Sequence, residues 1–273
     1  MLVARGVESR WHTVAGQSLH AYSLAGTGTG PPIVLVHGLG GSANGFSRTF
    51  FPLARRFRHV HAVDLPGHGF SPEFCGGPTC VNSQLQVLRA YCREVVRAPA
   101  FIVGNSLGGA MCVALAHESA ELFVGLGLVA PAGADLGAER LLALLASFDV
   151  RTAAQAREMT RRLFHKPPLG ALLLSSEIVK FYGTHTVRAL AADAAATRAS
   201  LTPEMLQGLK MPTLLIWGES EKVLPYEGLD YFRAHLPAHS RIEVVPGFGH
   251  MPQMERPEAL VALLARFADG AGW

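Results

Sequence analysis

Charge is scarce in this 273-residue chain: Asp, Glu, Lys and Arg make up 16 % of it, and the formal net charge is +3. No run of Lys and Arg is dense enough to follow a phosphate backbone, so nucleic acid is not an expected partner. Long apolar runs are also missing. Gly, His or a charged residue interrupts them well before the ~18 residues that a membrane-spanning helix requires, so no membrane span is expected. The opening residues MLVARGVESRWHTV lack the apolar stretch and small-residue cleavage site of a secretory signal, and the location implied is cytoplasmic. Cysteine is sparse, with four residues. Cys92 and Cys112 fall in helix-like runs and read as small core side chains. Cys75 and Cys80, in FCGGPTC, would pair only in an oxidising compartment, to which nothing else points. No Cys/His cluster has ligand spacing, so neither a metal nor an organic cofactor is expected. There is no internal repeat and no low-complexity segment.

What is abundant is material for a core, 49 % hydrophobic, which excludes a disordered chain. Residues 8–14 and 17–25 alternate as a strand pair turning at Gly16. Short β-branched runs follow at Ile33–Val36, Val60–Val63, Phe101–Val103, Val124–Val129, Thr213–Trp217 and Ile242–Val245. Helix-like stretches separate most of them: Ser83–Arg97, Leu107–His117, Leu229–His235 and Pro257–Ala268. This alternation predicts an α/β protein with a mostly parallel sheet covered on both faces. From Pro131 to about Met211 only helical segments are predicted, over Ala138–Phe148, Ala153–Phe164, Leu172–Tyr182 and Thr186–Ser200. The expected organisation is therefore a core (1–131), a helical cap (132–210) and the rest of the core (211–273). The cap would sit over the carboxyl edge of the sheet, where ligands bind in such folds.

Six Gly-x-Ser tripeptides end at Ser18, Ser42, Ser47, Ser71, Ser106 and Ser220, and only Ser106 completes Gly-x-Ser-x-Gly, as GNSLG. An apolar strand runs into it and a helix begins at once. A serine on that turn has a strained backbone, glycine neighbours leave its Oγ free to project, and the helix start aims unpaired N–H groups at developing negative charge. The plainer alternative is a capping serine. A serine nucleophile needs a base held by a third group. Of twelve histidines, His250 stands out, in a loop after the last strand-like run, which delivers it to the same sheet edge. His37 and His68 lie beside glycines in other motifs, while His12, His20, His59 and His61 fall in or beside strands. Two carboxylates, Glu219 and Glu221, follow the strand Thr213–Trp217 in WGESEKVLP.

These segments resemble the α/β-hydrolase fold superfamily over nearly the whole chain. The matching motifs are His37-Gly38-Leu39-Gly40-Gly41, DLPGHGFS from Asp64 to Ser71, GNSLGG, WGESEKVLP and GFGHMPQME, in family order. The resemblance implies an eight-stranded, mostly parallel sheet and a cap inserted after the sixth strand. It implies a triad of Ser106, an acid and His250, with the backbone amides of Leu39 and Leu107 as oxyanion hole. The acid loop departs from the Trp-Gly-x-x-Asp of similar proteins, because Glu221 holds the Asp position. Asp135, after strand six, is the alternative acid, and Glu219 matches a non-catalytic position.

Serine at the elbow separates the chain from similar dehalogenases and epoxide hydrolases, which use Asp. The implied function is a carboxylesterase for short- to medium-chain esters working through an acyl-enzyme. The alternative is a carbon–carbon bond hydrolase of ring-fission products, for whose acidic substrates Arg188 or Arg198 would supply a cation. Lactonase, thioesterase, cofactor-free haloperoxidase and non-catalytic receptor readings rank lower. The expected partner is a small ester or related acyl compound. Candidate pocket residues are Phe46 and Met251, near the nucleophile, and Met159, Phe164, Phe181 and Tyr182 in the cap.

Overall fold

A computed structural model describes residues 3–168 and 175–273. Eight strands form one sheet in the order β1-β2-β4-β3-β5-β6-β7-β8. They are β1 (Glu8–Val14), β2 (Gln17–Ala25), β3 (Gly30–Val36), β4 (Phe57–Val63), β5 (Ala100–Asn105), β6 (Phe123–Val129), β7 (Thr213–Gly218) and β8 (Arg241–Val245). β2 runs antiparallel to both β1 and β4, and all other neighbours are parallel.

Alternation along the strands splits the core in two, because successive side chains point to opposite faces. Ile33, Leu35, Phe101 and Val103 pack with α1 (Phe50–Ala54) and the long C-terminal helix α11 (Pro257–Gly270). Val34, Val36 and Ile102 face α2 (Val81–Tyr91) and α3 (Leu107–Glu118). Covered on both sides, β5 and β7 bury every residue. The edge strands β1 and β8 do not.

Between β6 and β7 the described residues form helices only: α4 (Ala138–Ala146), α5 (Ala153–Leu163), α6 (Ser175–Tyr182), α7 (His185–Thr197) and α8 (Pro203–Gln207). A small core of their own, including Phe148, Met159, Phe164 and Tyr182, rests on Leu39, Val223 and Met251 at the carboxyl edge of the sheet. From Leu201 the chain packs again with the main core, through Leu206, Leu209 and Met211. The remaining helices are α9 (Glu227–His235) and α10 (Pro252–Glu255).

Several expected boundaries move. The helix expected over Ser83–Arg97 is α2 followed by a wider π turn, Cys92–Val96, which stops at Arg97 with a left-handed φ of 56°. Of the expected helix Leu172–Tyr182, residues 172–174 lie outside the described residues. The short helices α1, α8 and α10 span four or five residues each, too few for a 3.6-residue period to register. All four cysteines are free thiols, Cys75 and Cys80 included. Among the described residues, no helix is long and apolar enough to cross a membrane.

β3 has β4 on one side and β5 on the other. The loops leaving β3 and β5 therefore diverge and open a crevice between them, the place where ligands enter open α/β sheets.

Candidate active site

Ser106 occupies that crevice between the end of β5 and the start of α3. Its φ of 55° and ψ of −121° are foreign to residues with a Cβ. Neighbours hold it there: its N–H donates to Val129 O at 3.1 Å, and its carbonyl accepts from Ala132 N at 3.0 Å and Ala110 N at 3.2 Å. The flanking glycines serve a tighter purpose than freeing the hydroxyl. A Cβ on Gly104 would lie 2.3 Å from the Gly108 carbonyl oxygen, and one on Gly108 would lie 2.5 Å from the carbonyl oxygens of Val36 and His37. Only bare backbone lets α3 start so close to β5 and β3. Gly38 fits against the serine in the same way, where a Cβ would come within 2.9 Å of Ser106 Cβ.

His250 stands on the loop after β8 and is buried. Its Nδ1 lies 2.7 Å from Glu221 Oε2. A carboxylate only accepts, so Nδ1 is the donor of this bond. The second oxygen of Glu221, Oε1, accepts from Val223 N at 2.6 Å and Leu224 N at 3.0 Å. Burial pushes the Glu221 carboxyl up, but the His250 charge and hydrogen bond and the two loop amides outweigh it, holding the group below the usual glutamate range. The longer side chain is accommodated by folding back onto its own loop. Asp135 is exposed, and its Oδ1 accepts from Gly137 N at 3.0 Å, so the structure does not bring it to His250.

Two amides that sequence patterns do not single out tie the serine turn to the histidine loop. Asn105 Nδ2 donates to Val129 O and to His250 O, both at 3.0 Å. Gln253 Nε2 then donates to Asn105 Oδ1 at 3.0 Å. His37 has both ring nitrogens engaged, Nδ1 with Gly38 O at 2.8 Å and Nε2 with Leu65 N at 3.1 Å. Burial pushes its pKa down, against the pull of Asp64 and the Gly38 carbonyl. It shapes the loop that carries Leu39 and has no lone pair left for a base. Asp64 of DLPGHGFS accepts from Ala43 N at 2.7 Å, Phe70 N at 3.1 Å and His20 Nδ1 at 2.8 Å. That motif is therefore a brace tying its own turn to β2 and to the 3₁₀ turn at Ala43.

Two cavities meet at Ser106. One, of about 220 Å³, is lined by Leu107, Ala110, Met111, Leu144 and Trp217. The other, of about 300 Å³, is lined by Leu39, Phe164, Tyr182, His250, Met251 and Gln253, with Phe181 at its exposed side. Phe148, which no motif singles out, stands in the wall of both. No lysine, arginine, aspartate or glutamate among the described residues lines either one. Arg188 and Arg198 are exposed and outside these walls.

Two pocket expectations need correction. Phe46 is buried in the main core with Phe50 and Leu53, because the 3₁₀ turn Ala43–Phe46 carries it beneath the loop. Met159 packs inside the helical segment's own core and reaches neither cavity. Among the described residues, no group of three His, Cys, Asp or Glu is arranged to hold a metal ion.

Comparison with known proteins agrees with this architecture. The chain is 30 % identical over 264 residues to the dihydrolipoyllysine-residue acetyltransferase component of an acetoin-cleaving system from Pseudomonas putida, covering 93 % of this chain and 68 % of that one. It is 24 % identical over 268 residues to Lipase 1 of Psychrobacter immobilis, covering 89 % and 78 %. Among solved structures it resembles a membrane phospholipase A described as a bacterial virulence factor, with a TM-score of 0.84 and 25 % identity over 97 % of this chain and 87 % of that one. Residues 33–263 match the model of the alpha/beta hydrolase family. With the eight-stranded sheet and a match running from the third strand into the last helix, the chain belongs to the alpha/beta hydrolase family.

Proposed function

We propose that this hydrolase cleaves carboxylic esters of short to medium acyl chain through Ser106, His250 and Glu221. One observation carries the reading: Ser106 lies where two cavities meet that no Lys or Arg lines among the described residues, with His250, held by Glu221, in the wall of the second.

Ser106 Oγ attacks the ester carbonyl carbon while His250 Nε2 takes its proton. The oxyanion accepts hydrogen bonds from the Leu39 and Leu107 amides, the second being the first N–H of α3, where the helix dipole also favours negative charge. His250 gives the proton to the alcohol oxygen, the carbon–oxygen bond breaks, and the acyl group stays on Ser106. Water, deprotonated by the same histidine, releases the acid and restores the serine.

The site also sorts the two halves of the substrate. The leaving oxygen must receive its proton from His250, which lines only the 300 Å³ cavity. The alcohol half belongs there, beside polar groups such as Asn105 and Gln253. The acyl chain takes the 220 Å³ cavity, whose wall is almost wholly hydrocarbon. A ring-fission substrate would bring a carboxylate into a site whose wall, among the described residues, holds no Lys or Arg, an expensive burial. The neutral-ester reading has no such difficulty.

The test is hydrolysis of p-nitrophenyl esters from acetate to palmitate by wild type and Ser106→Ala, with ring-fission dienoates in parallel. Ester turnover that Ser106→Ala abolishes supports the proposal. Dienoate cleavage without ester turnover overturns it.

A further inference from the structure

The last turn of α5 lies against the acid loop, where Arg162 bonds two of the loop carbonyls. Its Nε donates to Lys222 O at 2.9 Å and its Nη2 to Val223 O at 3.1 Å. The same two peptide groups present their N–H ends to the carboxylate. The Lys222–Val223 peptide donates through Val223 N, and the Val223–Leu224 peptide through Leu224 N, both to Glu221 Oε1. Guanidinium and carboxylate are thus joined by two parallel relays, each running from an Arg162 N–H through one peptide group to Oε1. A hydrogen bond accepted at a peptide oxygen polarises the group and strengthens its N–H as a donor. A guanidinium fork suits two neighbouring carbonyls as a single ammonium does not.

The surrounding contacts fix this end of α5 in place. His165 Nδ1 lies 2.7 Å from Ser220 Oγ, at the start of the acid loop. Leu163 O accepts from Met251 N at 3.2 Å, in the histidine loop. Glu255 spans the junction, accepting from Lys166 N at 2.8 Å and Gly249 N at 3.0 Å. Gly249 is pressed so closely that a Cβ there would stand 2.5 Å from His165 N.

We propose that Arg162 is a positioning residue for the Glu221–His250 pair, acting through the two peptide groups between its guanidinium and the Glu221 carboxylate. It keeps Oε1 occupied by the loop amides and so leaves Oε2 aimed at His250 Nδ1. The activity part of its test rests on the ester-hydrolysis reading. The spectroscopic part does not.

The experiment compares wild type, Arg162→Met and Arg162→Lys on a p-nitrophenyl ester and by proton NMR of the far-downfield His250 Nδ1–H signal. Arg162→Met is expected to lose kcat by about 10- to 100-fold with KM within about twofold, the scale of a misplaced catalytic group, and to lose or broaden the downfield signal. Arg162→Lys restores part of both. Wild-type kcat and an intact signal in Arg162→Met overturn the proposal. If the wild type turns over no ester, the ester reading fails and the NMR comparison still decides. If thermal melting shows Arg162→Met unfolded, Arg162→Gln, which keeps a single donor nitrogen in place of the guanidinium fork, decides on the same readouts: an intermediate loss supports the proposal and no loss overturns it.

Discussion

Glu221 meets His250 with one carboxylate oxygen and its own loop with the other: Oε2 lies 2.7 Å from Nδ1, while Oε1 accepts the amides of Val223 and Leu224. Aspartate, one methylene shorter, cannot satisfy both sides without moving the loop. Glu221→Gln is expected to lower kcat by about 10³- to 10⁴-fold, since an amide favours the wrong histidine tautomer. Glu221→Asp falls in between, and Asp135→Asn stays within about twofold of wild type. Steady-state kinetics on one ester checks all three, and a large loss in Asp135→Asn would reverse the choice of acid.

Backbone crowding makes the glycines of the serine turn unequal to others. Gly104→Ala and Gly108→Ala each force a Cβ into a carbonyl oxygen, at 2.3 Å and 2.5 Å, and should destabilise by about 3 kcal/mol or more. At Gly45 nothing lies within 4 Å of an added Cβ, so Gly45→Ala is expected to stay within about 0.5 kcal/mol. Urea midpoints compare the three.

Acid should unfold this protein through histidines outside the crevice. Burial, then the neighbouring His59 and His12, pushes His61 down to about 3, and burial, then His37, pushes His68 down to about 3. The unfolded chain binds these protons near pH 6.5, so between about 6.5 and about 3 it holds more protons than the folded one, and stability falls as pH falls through that window. Glu221, held below the usual range, adds a separate loss that begins only below its unfolded value of about 4.3. Urea midpoints at pH 7.5 and pH 5 should differ, and His61→Gln should shrink the difference. An unchanged slope in that variant would remove His61 from the account.

Leu144, half-buried on α4, lines the 220 Å³ cavity where the main core and the helical segment's own core meet. Leu144→Trp is expected to cut kcat/KM for long acyl chains by about tenfold or more while acetate changes by less than about threefold. A uniform loss across chain lengths would mean that the acyl group lies in the other cavity.

Much of this was legible because loops at one sheet edge carry distinctive residues: Ser106 between glycines, His250 after the last strand, Glu221 after β7. Strand and long-helix positions followed from the alternating runs. Less visible were contacts made by ordinary residues. Arg162 looks like any solvent-facing arginine near a helix end, and Phe148 like any apolar residue in a leucine-rich stretch. Phe46 misled because adjacency to the His37–Gly41 loop suggests proximity to the serine, whereas a single 3₁₀ turn buries it in the opposite direction. Asn105 sits inside the most recognisable motif, but its work is done by a side chain bonding a loop 145 residues away.

The left-handed backbone of Ser106 sets selection for activity against selection for robustness. Held at a φ of 55°, the residue carries strain of about 1–3 kcal/mol that glycine would not feel. Ser106→Gly should therefore melt at a higher temperature than the native protein while losing its hydroxyl. At this one position the backbone favours glycine and the proposed chemistry requires a hydroxyl, so stability and reactivity pull in opposite directions.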